Sequence, residues 1–375
     1  MSMSDYAGRI ARLQAAMRAE GASLTLLAGT DQMRYLTGWR EGGHERFVGL
    51  FVPAEGAPAF VVPKMNAPQA RETPAGIARV IGWEDHTGWQ RDVQMLLVGW
   101  GIYGRESTFL IDDELLSVHL LALQDFDIST SYEAAGKIMA SLRQIKTEAE
   151  LASMQRAADM IDAIYAESLG WLREGITELE FHDLILAAIK REGSRPSFSP
   201  LICFGANAAL PHHHTGDTPL QKGDVVIIDI GCISENYASD ITRTVAFGEP
   251  SDPDAKHVYR VVSAAHLAAR AFARPGVSGE ATDAAARKVI TDAGYGDYFV
   301  HRTGHGIGLS THEPPYIVQG NAEPLQTGMC FSVEPGIYLS GRFGVRIENI
   351  VTVTADGVRS LDAEAPTELK IVPIA

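Results

Sequence analysis

The chain has 375 residues, 46% of them hydrophobic and 21% charged, with a formal net charge of −15. A chain of that size and composition is globular and long enough for two domains, and its acidic balance argues against a nucleic acid or an anionic membrane surface as partner. The segment MSMSDYAGRIARLQ lacks the apolar core of a signal peptide and no long apolar run marks a membrane span, so a cytoplasmic location is expected.

In chain order, Ile10, Leu13 and Met17 share one face of a helix expected over Tyr6 to Glu20 and stopped by Gly21. Three short apolar segments follow, LTLLAG, RFVGLFVP and APAFVVP, and Thr108 to Asp112 is another, ahead of a leucine-rich helical stretch from Glu114 to Leu123. This alternation predicts an α/β domain with a largely buried sheet. Its end is placed near Ser131, which gives domains over 1–131 and 132–375.

The second domain opens with a helix capped by Thr147 and Glu150, its stripe formed by Leu151, Met154, Ala158, Ile161 and Ile164. Thr177 with Glu180 opens the next, where Phe181, Leu184, Ala188 and Ile189 are expected to be buried. The run His212 to His214 after Pro211 reads on its own either as a metal-binding tract or as a polar loop. In VVIIDIGCISENYASDITRT, a buried strand delivers Asp229 and a second segment, past Asn236, delivers Asp240 on a neighbouring strand. Taken alone, the pair fits equally two carboxylates facing one cavity and the plainer reading of Asp229 as a strand-end turn residue and Asp240 as a solvated one. Helices from Pro253 to about Ala273 and from Gly279 to Ala293 come next, and then strands that carry His305, Glu334 and Glu348. Two helices followed by such strands thus occur twice, a weak internal symmetry of pattern.

His305 stands between Gly304 and Gly306, Glu334 ends an apolar run in MCFSVEPGIY, and Glu348 lies in the strand-like GVRIENIVTV. Singly, each has a plain structural explanation. Together they are four carboxylates and one imidazole in apolar or glycine-rich surroundings, where a lone carboxylate would cost several kcal/mol or take up a proton. Such oxygen-rich donors suit hard or borderline divalent ions, and four carboxylates balance two of them, as in two-metal hydrolases. GHGIG lacks the spacing and the strand-then-helix context of a dinucleotide loop, and HExxH and GxSxG motifs are missing. Cys203, Cys232 and Cys330 have no CxxC spacing and read as buried free thiols.

In the order DIG, SDITRT, GHGIG, VEPGIY and RIEN, these motifs resemble the pita-bread metallopeptidases, which include methionine aminopeptidase, aminopeptidase P and the Xaa-Pro dipeptidases (prolidases), over roughly Leu142 to Val353. YLTGW and EGGHERF resemble the amino-terminal domain of the Xaa-Pro enzymes. The resemblance implies an α/β N-terminal domain ahead of an α+β pita-bread (creatinase/aminopeptidase) catalytic domain. It implies two divalent ions, Mn first and Co or Zn as alternatives, with Asp229 on one, Asp240 and Glu348 bridging, and His305 and Glu334 completing the second. His212, in ALPHHHT, and His312, in STHEPP, are implied to contact the scissile carbonyl or stabilise the tetrahedral intermediate. His213 and His214 receive no role, and a homodimer is expected.

The reaction this implies is hydrolysis of the Xaa-Pro bond at the N-terminus of dipeptides or short peptides by a metal-bridging hydroxide, with Glu334 as proton shuttle. Phe198, Ile202 and Tyr237 are candidates for the apolar wall against the proline ring, and the α-amine is expected near Asp229. A dipeptidase must also hold the proline carboxylate, for which a bidentate arginine is the natural device. Several prolidases carry an arginine in a stretch resembling HEWPR, but this chain reads HEPPY, with Tyr316 in its place. Arg346 is then a candidate, as are Arg40 and Arg46 from the first domain, reaching across a dimer. The alternative enzyme is a creatinase-like or ectoine hydrolase-like enzyme acting on a non-peptide C–N bond. A binding module would have lost metal ligands, and all five positions are filled.

Overall fold

The structure, a computed structural model, describes residues 2–126 and 130–374, which fall into two compact units, Met1–Arg143 and Gln144–Ala375. In the first unit, α1 (Met3–Glu20) buries Tyr6, Ile10, Leu13 and Met17 along one stripe. It starts ahead of Tyr6 because Ser2 and Asp5 form a capping box, and it ends where Gly21 takes the left-handed conformation, φ 74°. The sheet comprises β1 (Leu24–Leu27), β2 (Gly49–Pro53), β3 (Ala59–Pro63), β4 (Arg79–Trp83), β5 (Ser107–Ile111) and β6 (Thr130–Ala134) in the order β4-β3-β2-β1-β5-β6. Between the strands run α2 (Asp31–Thr37), α3 (Ala67–Arg71), α4 (Gln90–Trp100) and α5 (Ser117–Phe126), and α6 (Gly136–Arg143) closes the unit. The unit therefore continues past Ser131: β6 pairs in parallel with β5 from Ser107↔Thr130 to Ile111↔Ala134, and α6 buries Ile138 and Met139.

The second unit starts with α7 (Glu148–Ser168) and α8 (Glu178–Arg191), and both capping boxes form, Thr147 with Glu150 and Thr177 with Glu180. Along α8 the buried face is Phe181, Ile185, Ala188 and Ile189; Leu184 is turned out and 38% exposed, since helical spacing from Phe181 favours the residue four positions on. These helices cover β7 (Leu201–Phe204), β8 (Val225–Ile230) and β11 (Ile241–Phe247), with a short ribbon of β9 (Ile233–Ser234) and β10 (Tyr237–Ala238) between the last two. The pattern then repeats. Helices α9 (Ala255–Phe272) and α10 (Gly279–Asp292) share a core with a sheet ordered β13-β12-β14-β17-β18. Its strands are β12 (Gly304–Gly306), β13 (Glu313–Ile317), β14 (Cys330–Val333), β17 (Asn349–Val353) and β18 (Val358–Ser360). A ribbon of β15 (Gly336–Leu339) and β16 (Phe343–Arg346) is inserted ahead of β17, and β19 (Lys370–Val372) returns to pair in parallel with β11. All three cysteines are buried and unpaired, and burial pushes the Cys203 thiol up to about 12. Among the described residues no helix is long and apolar enough to cross a membrane.

Candidate active site

Strand ends bring the acidic residues together. Asp229 lies near the end of β8 opposite Thr242 of β11, and Asp240 directly precedes β11. The β9–β10 ribbon reverses the chain between them through Glu235 and Asn236, whose φ values are 49° and 73°. On the other sheet, the His305 N–H donates to Ser332 Oγ at 2.9 Å. Gly304 permits that closeness, since a Cβ there would lie 1.8 Å from the Ser332 carbonyl oxygen. Glu334 follows β14; its N–H donates to the Thr303 carbonyl at 2.8 Å and its carboxylate accepts from Ser332 Oγ at 3.0 Å. Glu348 lies in the bend between β16 and β17 rather than within a strand, and its Oε2 accepts from Thr242 Oγ1 at 2.7 Å. Thr242 thus joins the two sheets at the cluster.

His305 Nε2 lies 3.3 Å from Glu334 Oε1 and 3.8 Å from Asp240 Oδ2. One ligand atom from each of Asp240, His305 and Glu348 falls within 4.8 Å of the others. His305 Nδ1 is 3.1 Å from the Gly306 carbonyl oxygen, which can only accept, so the proton sits on Nδ1 and Nε2 offers its lone pair to the cluster. Burial, reinforced by Glu348 and Asp229, holds Asp240 well above the usual carboxylate range; burial, then Glu334 and Asp229, does the same to Glu348. Burial pushes Glu334 up to about 7 against the pull of Arg346. Burial, then the neighbouring His312, lowers His305 to about 3.

Asp229 Oδ1, Asp240 Oδ1 and Glu348 Oε1 are buried with no hydrogen-bond partner. Buried acceptors are ordinarily paired; Asp240 and Glu348 belong to the close group that His305 completes, and Asp229 lines the same cavity. The residues fit divalent cations: hard oxygen donors, one nitrogen donor, and repulsion between carboxylates that a cation relieves.

The cluster forms one wall of a cavity of about 860 Å³, also lined by Phe198, His212, His312, Arg302 and Arg346. His212 and His312 are exposed on irregular segments, and the His312 ring packs edge-on against His305 with centroids 4.1 Å apart. Several pocket expectations are corrected. Arg346 is not available to a substrate carboxylate: it donates to Asp229 Oδ2 at 2.5 Å, Thr242 Oγ1 at 3.1 Å and Tyr338 OH at 2.9 Å. Tyr316, the cross-strand partner of His305 on β13, does not line the cavity. Ile202 is wholly buried in the core under α7 and α8, and Tyr237 is buried with its hydroxyl donating to Glu150 Oε1 at 2.6 Å. In the first unit, Arg46 forms a bidentate pair with Asp85 at 3.0 and 3.1 Å, and Arg40 lies 3.3 Å from Asp31.

Two cavity residues escaped the sequence reading. The Arg302 guanidinium lies 4.7 Å from the centre of the Tyr316 ring, and its charge helps to lower Glu334 against the effect of burial. His301 Nδ1 donates to the Arg302 carbonyl at 2.7 Å, so its Nε2 accepts from Tyr338 OH at 2.8 Å, and that hydroxyl in turn accepts from Arg346. The signal was present as the basic pair HR just ahead of TGHGIG.

Residues 152–355 match the model for metallopeptidase family M24. The chain belongs to that family. In this M24 protein, residues 9–145 additionally match the creatinase/prolidase N-terminal domain. It is 40% identical over 374 residues to a probable dipeptidase PepE of Mycobacterium tuberculosis, covering 99% of this chain and 97% of that one. Crystal structures of dipeptidase PepE from Mycobacterium ulcerans and of a prolidase from Thermococcus sibiricus are similar to it, with TM-scores of 0.93 and 0.91 and identities of 39% and 34%. They cover 100% and 99% of both chains, respectively. The fold is thus the pita-bread catalytic domain preceded by a creatinase-type N-terminal domain, and membership of the family implies divalent-metal-dependent peptidase chemistry.

Proposed function

We propose that this M24 protein is a metal-dependent Xaa-Pro dipeptidase. The observation that carries the reading is the pairing, in one cavity, of an acidic cluster with unpartnered oxygens and a guanidinium, Arg302, that acts on the Glu334 carboxylate of that cluster through space and rests against the Tyr316 ring. The printed names of the similar proteins, dipeptidase and prolidase, agree with it.

Asp229, Asp240, His305, Glu334 and Glu348 would hold two divalent ions, Mn²⁺ first. When bound, such ions polarise a carbonyl and supply hydroxide near neutral pH. The chain's own groups do the rest. Glu334 takes the proton released by the attacking water and returns it to the proline nitrogen as the C–N bond breaks. Burial and Arg302 keep His312 below the ordinary imidazole value, so it is neutral at pH 7 and offers one N–H to the carbonyl oxygen as negative charge develops; His212 approaches the same oxygen from the opposite loop. Phe198 supplies an apolar wall for the proline ring. Arg302, held over the Tyr316 ring at 4.7 Å from its centre, takes the proline carboxylate with a fork-shaped pair of hydrogen bonds. The tyrosine at the HEPPY position thereby supports an arginine in place of supplying one.

The test compares turnover of Xaa-Pro dipeptides, Xaa-Pro-Xaa tripeptides and an Xaa-Ala dipeptide in the presence of Mn²⁺. Faster cleavage of the Xaa-Pro dipeptide than of both others supports the reading. A tripeptide preference makes the protein an Xaa-Pro aminopeptidase, and no cleavage of any of them sinks the peptidase assignment in favour of a non-peptide C–N bond.

A further inference from the structure

His212 and His312 share an arrangement: each ring is exposed to the cavity on a segment outside helix and strand, and the next residue in the chain is turned inward against a buried charge. His213 Nε2 lies 2.7 Å from Glu178 Oε2, with side chains 13% and 0% exposed. Glu313 Oε1 lies 2.7 Å from Lys146 Nζ, with side chains 6% and 1% exposed. We propose that Glu178 and Lys146 are positioning residues for the reaction, fixing His212 through His213 and His312 through Glu313. This rests on the roles given above to His212 and His312.

Glu178 is the first residue of α8, where the helix N-terminus favours a carboxylate. It accepts from four groups: Phe204 N at 2.8 Å, Asn207 Nδ2 at 2.9 Å, His213 Nε2 at 2.7 Å and Gly216 N at 3.1 Å. Those donors lie on both sides of His212, so one side chain ties down the end of β7, the turn after it and the loop beyond. The second pair is built differently. Lys146 is anchored by its backbone, whose N–H donates to the Gly328 carbonyl at 2.8 Å, and Glu313 Oε2 accepts from Ser310 N at 3.4 Å, which draws the loop ahead of His312 inward. Gly308 leaves the space for this pair, since a Cβ there would lie 2.7 Å from Glu313 Oε1 and 3.0 Å from Lys146 Cε. Glu178, Lys146 and Glu313 do not line the cavity, so their influence on substrate passes through the histidines. The His312 ring also packs against His305, and Thr311 Oγ1 donates to the Ser197 carbonyl at 3.1 Å, so the Lys146–Glu313 pair sets its place together with those contacts. A misplacement of about 1 Å in a catalytic group can cost on the order of a hundredfold in rate.

The test is a pair of double-mutant cycles with the full-length, Mn²⁺-supplemented enzyme on an Xaa-Pro dipeptide, together with amide hydrogen exchange. Glu178→Ala should lower kcat about ten- to a hundredfold, with KM little changed. It should add nothing in a His212→Ala background yet multiply with His312→Ala. Lys146→Met should behave in the mirror sense, silent with His312→Ala and multiplying with His212→Ala. Exchange should quicken over 205–216 in Glu178→Ala and over 308–313 in Lys146→Met, each without the other. Should the truncations fail to fold, Glu178→Gln and the charge-neutral double variant Lys146→Met/Glu313→Gln carry the same cycles. Equal multiplication in both backgrounds, or unchanged exchange in the named loops, overturns the proposal. A wild type that turns over no Xaa-Pro peptide overturns the dipeptidase reading instead, and the exchange arm, which needs no substrate, still decides whether the loops are held.

Discussion

Arg346 donates from Nη2 to Asp229 Oδ2 at 2.5 Å, and the two side chains are only 5% and 15% exposed. An arginine that the sequence offered as a substrate anchor is therefore part of the wall that holds the acidic cluster. Breaking a buried pair by removing one partner leaves the other charge uncompensated, which typically costs about 3–5 kcal/mol. Arg346→Met should lower the stability of the metal-free protein by about that amount in urea unfolding, with part of the loss recovered on adding Mn²⁺. Wild-type stability in that variant would mean that the pair contributes nothing to holding the cluster.

The crowded carboxylates set a pH dependence for metal binding. Glu334 is raised from 4.5 to about 7, mainly by burial, and Asp240 and Glu348 are raised as well. A carboxyl whose folded pKa exceeds its unfolded value stabilises the metal-free fold fully below about 4.5, and that contribution is lost as pH rises through about 7. A cation must displace the same protons, so its hold strengthens over the same interval. The rise in Tm on adding Mn²⁺ should be larger at pH 8 than at pH 6. Asp240→Asn should show little rise at either pH and lose at least about a hundredfold in kcat, given how strongly ligand loss affects metal-assisted attack.

What the sequence could convey followed from local chemistry. Capping boxes at Thr147 and Thr177, and the stripe of α7, depend on residues three or four apart; the boxes formed as expected, and so did the stripe except at Leu151, which is only half-buried. Asp229, Asp240, His305, Glu334 and Glu348 stood out because each charge interrupts an apolar or glycine-rich run, and strand ends gather them. The walls of the cavity were harder to read. Whether Arg346 faces substrate or Asp229 depends on two strands 117 positions apart, and no local pattern records that pairing. Ile202 and Tyr237 looked like pocket residues because hydrophobic character alone does not say which face of a strand meets the core. Arg302 was passed over because its support, Tyr316, comes from the opposite strand.

That stacking gives a specificity prediction. Charge-assisted hydrogen bonds are worth about 1.5–3 kcal/mol, so Arg302→Met should raise KM for an Xaa-Pro dipeptide by about ten- to a hundredfold. The corresponding dipeptide amide, which has no carboxylate, should be cleaved by wild type and variant with similar KM. Tyr316→Ala should show a weaker form of the same discrimination, because it removes the platform and leaves the charge. Equal KM effects on acid and amide would remove Arg302 from the carboxylate site.

Away from the cavity, His266 on α9 is 2% exposed, its Nε2 has no hydrogen-bond partner, and burial, then Arg270 and Arg243, lowers it to about 3. A buried neutral histidine in an apolar core is an acid-sensitive element. Its folded pKa lies below its unfolded value of 6.5, so the stability it permits is fully present above 6.5 and is lost as pH falls toward about 3, where the unfolded chain takes up a proton that the folded one refuses. Between pH 7 and pH 4 the loss from this group alone is about 3 kcal/mol on the usual conversion of pKa difference to free energy. His266→Leu removes the titration while keeping an apolar side chain of similar reach. The variant's stability relative to wild type, measured by urea unfolding at both pH values, should therefore improve by about that amount on going from pH 7 to pH 4. A difference that stays constant with pH would show that His266 takes up its proton in the folded state, which would require a partner within the core of α9.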